Sequence, residues 1–408
     1  MLTRVKVSGY KSLKDVDVEL GKLSVIAGPN NVGKSNFFDL LQVLSAFADG
    51  PIERAFDKHR GDPLESFFDP EDLRITVQVD IDLTGHRLPP KEEEGLEHPK
   101  LTYRVAVQWD EDRSLFTLTD ESLVSASRRS KKPFIGIDEA SDRLRVTREG
   151  GGGHPRYFDL GGTRTVLSQI DDAELYPTIY AVQQHLRSWR FYHFEPEALR
   201  EPSPQLNLFE LDAQGHGLSG VLDTLRRDLG QSKAFASIER ELRSAVPEVQ
   251  GLDLVDTGDR RRLVQLRVGD KEFTGRVVSD GILRFLALLV LAYSPRPGGL
   301  VCFEEPENGV HPGRLGFVVQ HMRGIARERS NTSVCQVLVN SHSPYLIDHL
   351  RPEELVVASV RQDGATVLRR LPQDLEGHGS KSELRKSLES GDVSLGEAWC
   401  GGLLDEAG

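Results

Sequence analysis

Polar and apolar positions along the first fifty residues change period twice. Residues 3–7 and 15–20 alternate, Leu23–Ala27 is a short continuous apolar run, and all three read as strands. Between residues 37 and 47 the apolar positions, among them Phe38, Leu41 and Leu44, recur at helical spacing, so a helix is expected directly after Gly33. Residues 74–83 and 101–109 alternate as half-buried strands on either side of a Pro- and Glu-rich solvated loop at 89–94. Four successive glycines within 148–155 read as a flexible loop. Helices are expected near 173–189 and 218–244, the second broken at Gly230. From residue 281 the pattern is helix (281–293), buried strand (300–303), helix after Pro312, buried strand (334–339) and an edge pair (355–360 and 365–371). Strands alternating with helices at both ends, around a large middle segment, predict one α/β core interrupted in sequence.

Composition narrows the class. With 408 residues and 38% hydrophobic side chains, the chain can bury a large core. Its longest apolar run, residues 285–293, falls short of the ~18 residues that span a bilayer. The first six residues hold no apolar stretch of the signal-peptide kind. Cys302, Cys335 and Cys400 have no metal-type spacing and read as reduced packing residues in a cytoplasmic protein. The net charge of −12 favours solubility and works against non-specific nucleic-acid binding. Heptads do not persist beyond a few turns, so no long coiled coil is expected. These features exclude a membrane protein, a secreted disulfide scaffold and a histone-like DNA coater.

Four motifs carry chemistry. Residues 28–35, Gly-Pro-Asn-Asn-Val-Gly-Lys-Ser, fit G-x-x-x-x-G-K-[ST] between an expected strand and an expected helix. Such a loop wraps an anion with backbone N–H groups and the helix N-terminus. Lys34 would reach the β- and γ-phosphates of a nucleotide, and the Ser35 hydroxyl would hold Mg²⁺. The apolar strand at 300–303 ends in Glu304-Glu305-Pro306-Glu307. Two adjacent carboxylates there are costly unless a cation or proton shares the site. Glu304 suits the metal side and Glu305 a general base, although both side chains can also simply face solvent. Ser279-Asp280-Gly281 precedes a strongly apolar helix, where Ser279 or Asp280 equally well acts as its N-cap. Ser341-His342-Ser343-Pro344 follows the other buried strand, at a position where ligand sites of α/β sheets collect. No nucleophile elbow surrounds Ser341, His342 and Asp348, which argues against a hydrolytic triad.

Together these motifs resemble the nucleotide-binding heads of ABC-type ATPases, within the RecF-, SMC- and OLD-like group known as AAA family ATPases. Gly9-Tyr10-Lys11-Ser12-Leu13-Lys14-Asp15 is similar to that group's opening, and residues 28–36 to its Walker A. Residues 279–289 are similar to its signature, 303–312 to its Walker B and 341–344 to its switch-histidine loop. Gln214-Gly215-His216-Gly217-Leu218 and Leu395-Gly396-Glu397-Ala398-Trp399 are weaker likenesses. The sequence departs from relatives in lacking a second signature glycine and in carrying Glu304 where many have Asp. Only 66 residues follow His342, without an acidic metal cluster, so a Toprim-type nuclease domain does not fit. Gln183 and Gln184 are the candidates for a Q-loop glutamine.

The resemblance implies a P-loop NTPase of ABC-head type, with a mixed-sheet core, an antiparallel β subdomain and a helical insertion lobe. It divides the single head, 1–408, into a nucleotide-binding core at 1–50 and 275–372, an insertion at 51–274 and a tail at 373–408. It further implies ATP and Mg²⁺ as ligands. Asn30, Asn31, Gly33, Lys34, Ser35, Asn36, Ser279, Asp280 and Gly281 would bind nucleotide, with Ser35 and Glu304 on the metal and Glu305 and His342 as catalytic groups. The expected activity is ATP hydrolysis by a homodimer closed around ATP, in DNA repair or anti-phage defence, beside a nuclease or toxin encoded nearby. A P-loop phosphotransferase and a non-hydrolysing ATP-gated module are the alternatives; the first lacks an acceptor site, and the second leaves Glu305 without a task. The basic runs 128–132 and 260–262 offer a DNA contact, but the overall charge is negative, no aromatic residues are interleaved and solvated loops explain them better.

Overall fold

The computed structural model describes residues 1–56, 62–85, 95–126, 133–149, 153–227, 232–293, 299–326, 328–329, 333–371, 386–388 and 390–404. Two large sheets organise them. The first is antiparallel and eight-stranded, ordered Leu13–Glu19, Leu2–Tyr10, Arg74–Asp82, Lys100–Asp110, Leu115–Ser125, Ile135–Asp138, Arg143–Val146 and Arg156–Asp159. Its first two strands therefore come from the N-terminal segment. The second is ordered Arg190–Tyr192, Leu300–Glu304, Gln336–Ser341, Leu23–Ala27, Leu355–Val360 and Thr366–Arg370. Its first five strands run parallel and the last antiparallel. A smaller sheet (Ser203–Pro204, Arg261–Val268, Val249–Asp256 and Lys271–Thr274) packs with helices Leu218–Arg227 and Ser232–Ala245.

The parallel strands are buried on both faces, which is why they read as unbroken apolar runs rather than as alternation. Their successive side chains feed two different cores. Ile26, Leu300, Cys302, Leu338, Val356 and Ala358 join the core under the antiparallel sheet, with Phe37, Leu41 and Leu44 of helix Lys34–Ala46. Val25, Val301, Phe303, Val337, Val339 and Val357 join a second core with helices Asp280–Tyr293 and Leu315–Ile325. Gln336, fully buried, stitches the two sheets together: its Oε1 accepts from Leu2 N–H (2.8 Å) and its Nε2 donates to the carbonyls of Leu2 (2.7 Å) and Gly21 (2.8 Å). No described helix is long and apolar enough to cross a membrane. The longest described helices have 14 residues, too short for an extended coiled coil.

Most expected elements appear within a residue or two, including Leu23–Ala27 with the expected bounds. The strand expected at 334–339 is divided into Ser333–Val334 and Gln336–Ser341. The loop at 89–94, the glycines 150–152, Gly230 and the basic run 128–132 lie outside the described residues. Strand Leu115–Ser125 escapes the periodicity for a physical reason. A register shift at Ala106/Val107 leaves Thr119 unpaired, so the buried side changes from Phe116 and Leu118 to Glu121, Leu123 and Ser125. That bulge flips the parity of the strand and turns a carboxylate inward.

Glu121 is fully buried and accepts hydrogen bonds from Tyr103 Oη (3.0 Å), Val166 N–H (2.5 Å) and Leu167 N–H (3.0 Å). Burial outweighs these bonds and pushes its carboxyl up to about 7 from 4.5. The folded state therefore binds a proton more tightly than the unfolded chain. The resulting stabilisation is fully present below pH 4.5 and is lost as pH rises through about 7. Stability of the wild type relative to Glu121→Gln should accordingly decline across that window by on the order of 3 kcal/mol. A difference that stays flat in denaturant titrations from pH 4.5 to 8 would contradict the shift.

Candidate functional site

The parallel register brings several strand ends to one edge. Glu304 pairs with Asn340, Asn340 with Ile26, and Ser341 with Ala27, while Tyr192 pairs with Phe303 and leaves His193 beside Glu304. Strand Leu23–Ala27 has neighbours on both sides that come from distant parts of the chain. Ligands of open α/β sheets bind at such a carboxyl edge.

The loop after Ala27 is built for close backbone approach. A Cβ at Gly28 would lie 2.5 Å from the Ala358 carbonyl. Gly33 sits at φ 89°, and a Cβ there would meet Thr366 Oγ1 at 2.0 Å and Ser12 Oγ at 2.4 Å. Thr366 Oγ1 donates to the Val32 carbonyl (2.9 Å) and contacts Ser12 Oγ (2.7 Å), and Asn36 Nδ2 donates to Ser12 Oγ (2.8 Å). Asn36 thus braces the loop from behind. Asn30, Asn31 and Ser35 are exposed, with Asn31 at φ 64°. Lys34 is buried and folds over the loop, donating to the carbonyls of Gly28 and Pro29, both at 2.7 Å. Its burial lowers the ammonium's pKa, opposed by the negative charges of Glu305 and Glu307.

Across the edge, Glu305 adopts φ 46°, one of six described non-glycine residues with positive φ. Left-handed backbone in such a residue costs on the order of 1–3 kcal/mol and persists where its surroundings over-determine it. Here Glu305 N–H donates to the Asn340 carbonyl (3.0 Å), Asn308 Nδ2 to Oε2 (2.7 Å), and His342 Nδ1 lies 3.2 Å from Oε1. Burial raises the Glu304 carboxyl above its ordinary value; His193 opposes the shift, while Asp39 and Glu305 reinforce it. The sequence gives His193 no distinguishing spacing. It becomes visible as a neighbour of Glu304 only through strand pairing.

The 279–281 segment is anchored to the same region from the other side. Ser279 and Asp280 are exposed at the start of helix Asp280–Tyr293, and the Ser279 carbonyl accepts from Ile282 and Leu283 N–H. Arg200 donates to the Val278 carbonyl (2.9 Å) and pairs with Asp280. Arg284 bridges the Phe194 carbonyl (3.1 Å) and the Asn308 carbonyl (2.5 Å). A Cβ at Gly281 would lie 2.0 Å from the Gly309 carbonyl, so this helix and the 305–309 loop meet backbone to backbone.

Other sequence candidates fall elsewhere. Gln183 is buried in helix Pro177–Arg187, where it donates to the Leu167 carbonyl (2.8 Å) and accepts from Arg187 (3.1 Å) and Gln184 (3.3 Å). Both glutamines therefore brace the antiparallel half. Asp348 accepts from Gly396 N–H (2.8 Å), fixing helix Leu395–Cys400 against Pro344–Ile347 rather than serving a triad. Gly215 and Gly217 take φ 100° and 93° in a turn that Asp212 caps before helix Leu218–Arg227. Arg261 and Arg262 face Asp259 (3.7 Å) and Asp256 (3.8 Å).

Known proteins share these parts. Residues 1–127 match the family described as "AAA ATPase domain", and residues 186–348 the family described as "AAA domain, putative AbiEii toxin, Type IV TA system". The chain is 23% identical over 390 residues to the OLD nuclease of Thermus scotoductus (strain ATCC 700910 / SA-01). That match takes in 90% of this chain, which spans 64% of the relative's length. An SMC head bound to the C-winged helix domain of ScpA superposes with TM-score 0.51 at 12% identity, covering 90% of this chain and 97% of that one. An SMC head domain with an extended coiled coil, bound to the C-terminal domain of ScpA derived from Pyrococcus furiosus, gives 0.50 at 11% identity, covering 96% and 99%. The fold is that of a P-loop NTPase of ABC-head type. These likenesses, each family model matching less than half of the chain, support an ATPase head of the ABC/SMC/OLD-like kind.

The close approach at Gly281 yields a test. Overpacking of this kind costs roughly 1–3 kcal/mol. Gly324, in helix Leu315–Ile325, has nothing within 4 Å of a built Cβ. Gly281→Ala should lower the melting temperature by several degrees, whereas Gly324→Ala should leave it equal or higher, since alanine restricts the unfolded chain. Equal melting temperatures for the two variants would contradict the contact.

Proposed function

We propose that this head hydrolyses ATP and acts as a two-protomer switch. The observation that carries the reading is Glu305: a carboxylate with left-handed backbone, held at Oε2 by Asn308, with His342 Nδ1 3.2 Å from Oε1, and near enough to Lys34 to favour its charged form. A residue constrained in this way is organised for chemistry rather than for solvation.

The residues fit a magnesium nucleotide. Positions 28 and 33 tolerate no Cβ, leaving the loop backbone and the N-terminus of helix Lys34–Ala46 free to receive phosphate oxygens. Lys34 would leave the Gly28 and Pro29 carbonyls for the β- and γ-phosphates. The buried Oδ1 of Asn340 and Oε2 of Glu307 have no hydrogen-bond partner among the described residues, as suits an edge that accommodates hydrated cations. No described cluster of three or more His, Cys, Asp or Glu side chains could cage an ion, so Ser35 and Glu304 would hold Mg²⁺ together with the phosphates. When bound, Mg²⁺ would offset charge on the phosphate oxygens.

Glu305 orients a water and takes its proton as the water oxygen bonds to the γ-phosphorus and the bond to the bridging oxygen breaks, giving ADP and phosphate. His342, held against Glu305, donates to the γ-phosphate as charge develops there. Asn30 and Asn31 line the phosphate loop, and Asn36 fixes its base. Ser279 and Asp280 are exposed, Gly281 is buried beside them, and a helix starts at Asp280, so this segment suits the γ-phosphate bound to a second copy. Two chains would then bury two ATP molecules across a two-fold axis. Arg284 and Gly281 contact the loop that follows Glu305, so closure by one copy would be felt at its own carboxylates.

The matched description names a toxin system and the 23% relative is a nuclease, which supports a cytoplasmic role in anti-phage defence or DNA repair beside a separate effector. The ScpA-bound SMC heads support a partner protein as well. DNA contact by Arg260–Arg262 is the weakest element, because acidic neighbours already face two of the three.

Positioned general bases contribute roughly 10²–10⁴ in rate. Glu305→Gln should lose turnover by that order and keep ATP binding, while Lys34→Ala should weaken binding itself. Ser279→Arg should be inactive alone, yet mixing it with Lys34→Ala should restore partial activity, because one composite site in a mixed dimer is intact. Full turnover in Glu305→Gln would overturn the base. With subunit exchange verified by labelled protomers, absent rescue would overturn the shared site.

A further inference from the structure

The third carboxylate of the 304–307 segment neither takes the proton nor holds the phosphate in the chemistry above, yet it is the most buried of the three. Glu307 is 6% exposed. Its Oε1 accepts the Ser341 hydroxyl (2.5 Å) and the His342 N–H (3.2 Å). Ser341 Oγ in turn accepts from Ser343 N–H (3.1 Å), and Ser343 Oγ caps helix Pro344–Ile347 through Leu346 N–H (3.3 Å). The peptide groups on both sides of His342 are therefore anchored, one directly and one through Ser341, while the imidazole itself faces Glu305. A buried carboxylate is expensive, and burial raises this one above its ordinary range despite the bonds from Ser341 and His342. Its other oxygen, Oε2, is buried without a hydrogen-bond partner among the described residues. Glu307 is also close enough to Lys34 for its charge to favour the ammonium.

We propose that Glu307 is a positioning residue that clamps the Ser341–His342 backbone to the carboxylate loop, so that His342 is presented to the γ-phosphate in register with Glu305. This rests on the reading that His342 contacts that phosphate. The clamp uses Oε1 as an acceptor for two donors, and a glutamine can keep that acceptor whereas an alanine cannot. Misplacement of a group at a reacting centre by about 1 Å can cost up to about a hundredfold in rate.

The test is a double-mutant cycle on the full chain, with kcat and KM for ATP measured separately. Glu307→Ala should lower kcat by about tenfold to a hundredfold with KM within about threefold, and Glu307→Gln should recover most of the loss. In a His342→Ala background, Glu307→Ala should cost nothing further, because the residue through which it acts is gone. Thermal melts accompany each variant; if Glu307→Ala does not fold, Ser341→Ala takes its place in the same cycle. Wild-type kcat in Glu307→Ala, equal losses in both backgrounds, or a glutamine variant as impaired as alanine would each overturn the proposal. If His342→Ala itself keeps wild-type kcat, the reading of His342 fails instead, and the clamp has nothing to position.

Discussion

Strand register between Leu300–Glu304 and Gln336–Ser341 is the constraint on which the site depends. Glu304 pairs with Asn340, and the ladder continues one step beyond the strand as Glu305 N–H reaches the Asn340 carbonyl. That last bond holds Glu305 in left-handed backbone and turns the chain towards Glu307, whose carboxylate returns to Ser341 and His342. A slip of one residue would invert every side chain on the strand. Glu304 would change face together with Leu300 and Cys302, and Phe303 would leave the second core. The hydrophobic pattern that buries Val301 and Phe303 on one face and Leu300 and Cys302 on the other therefore also fixes where the carboxylates stand.

Mechanical continuity follows from the same loop. It touches the helix that starts at Asp280 through Gly281 and Arg284, and that helix reaches back to Phe194 and Arg200. His193, one residue before Phe194, ends beside Glu304. Carboxylates, exposed helix start and edge strand are thus three sides of one packed unit. Movement imposed on Ser279 or Asp280 by a bound partner has a short covalent and hydrogen-bonded route to Glu305.

Much of this was legible in the residues themselves. The 28–35 loop declares itself because Gly28 and Gly33 are demanded by Ala358, Thr366 and Ser12, contacts that leave no room for a Cβ. Buried parallel strands declare themselves because both faces are apolar. What stayed hidden depends on pairing between distant segments. Gln336 looks like a polar interruption in a strand until Leu2 and Gly21 close around it, and His193 looks ordinary until Tyr192 pairs with Phe303. The bulge at Thr119 erases the alternation that would have marked Leu115–Ser125. Gln183 shows the opposite failure: a glutamine near the expected place, used wholly for packing.

The account stands or falls on whether nucleotide joins two heads. The direct measurement is the molar mass of Glu305→Gln protein by light scattering at saturating Mg·ATP and without nucleotide. We expect ATP to produce a dimer or tighten a weak one, and Ser279→Arg in the same background to abolish the effect. A strictly monomeric mass under saturating Mg·ATP would contradict the shared site and leave a P-loop enzyme that works alone.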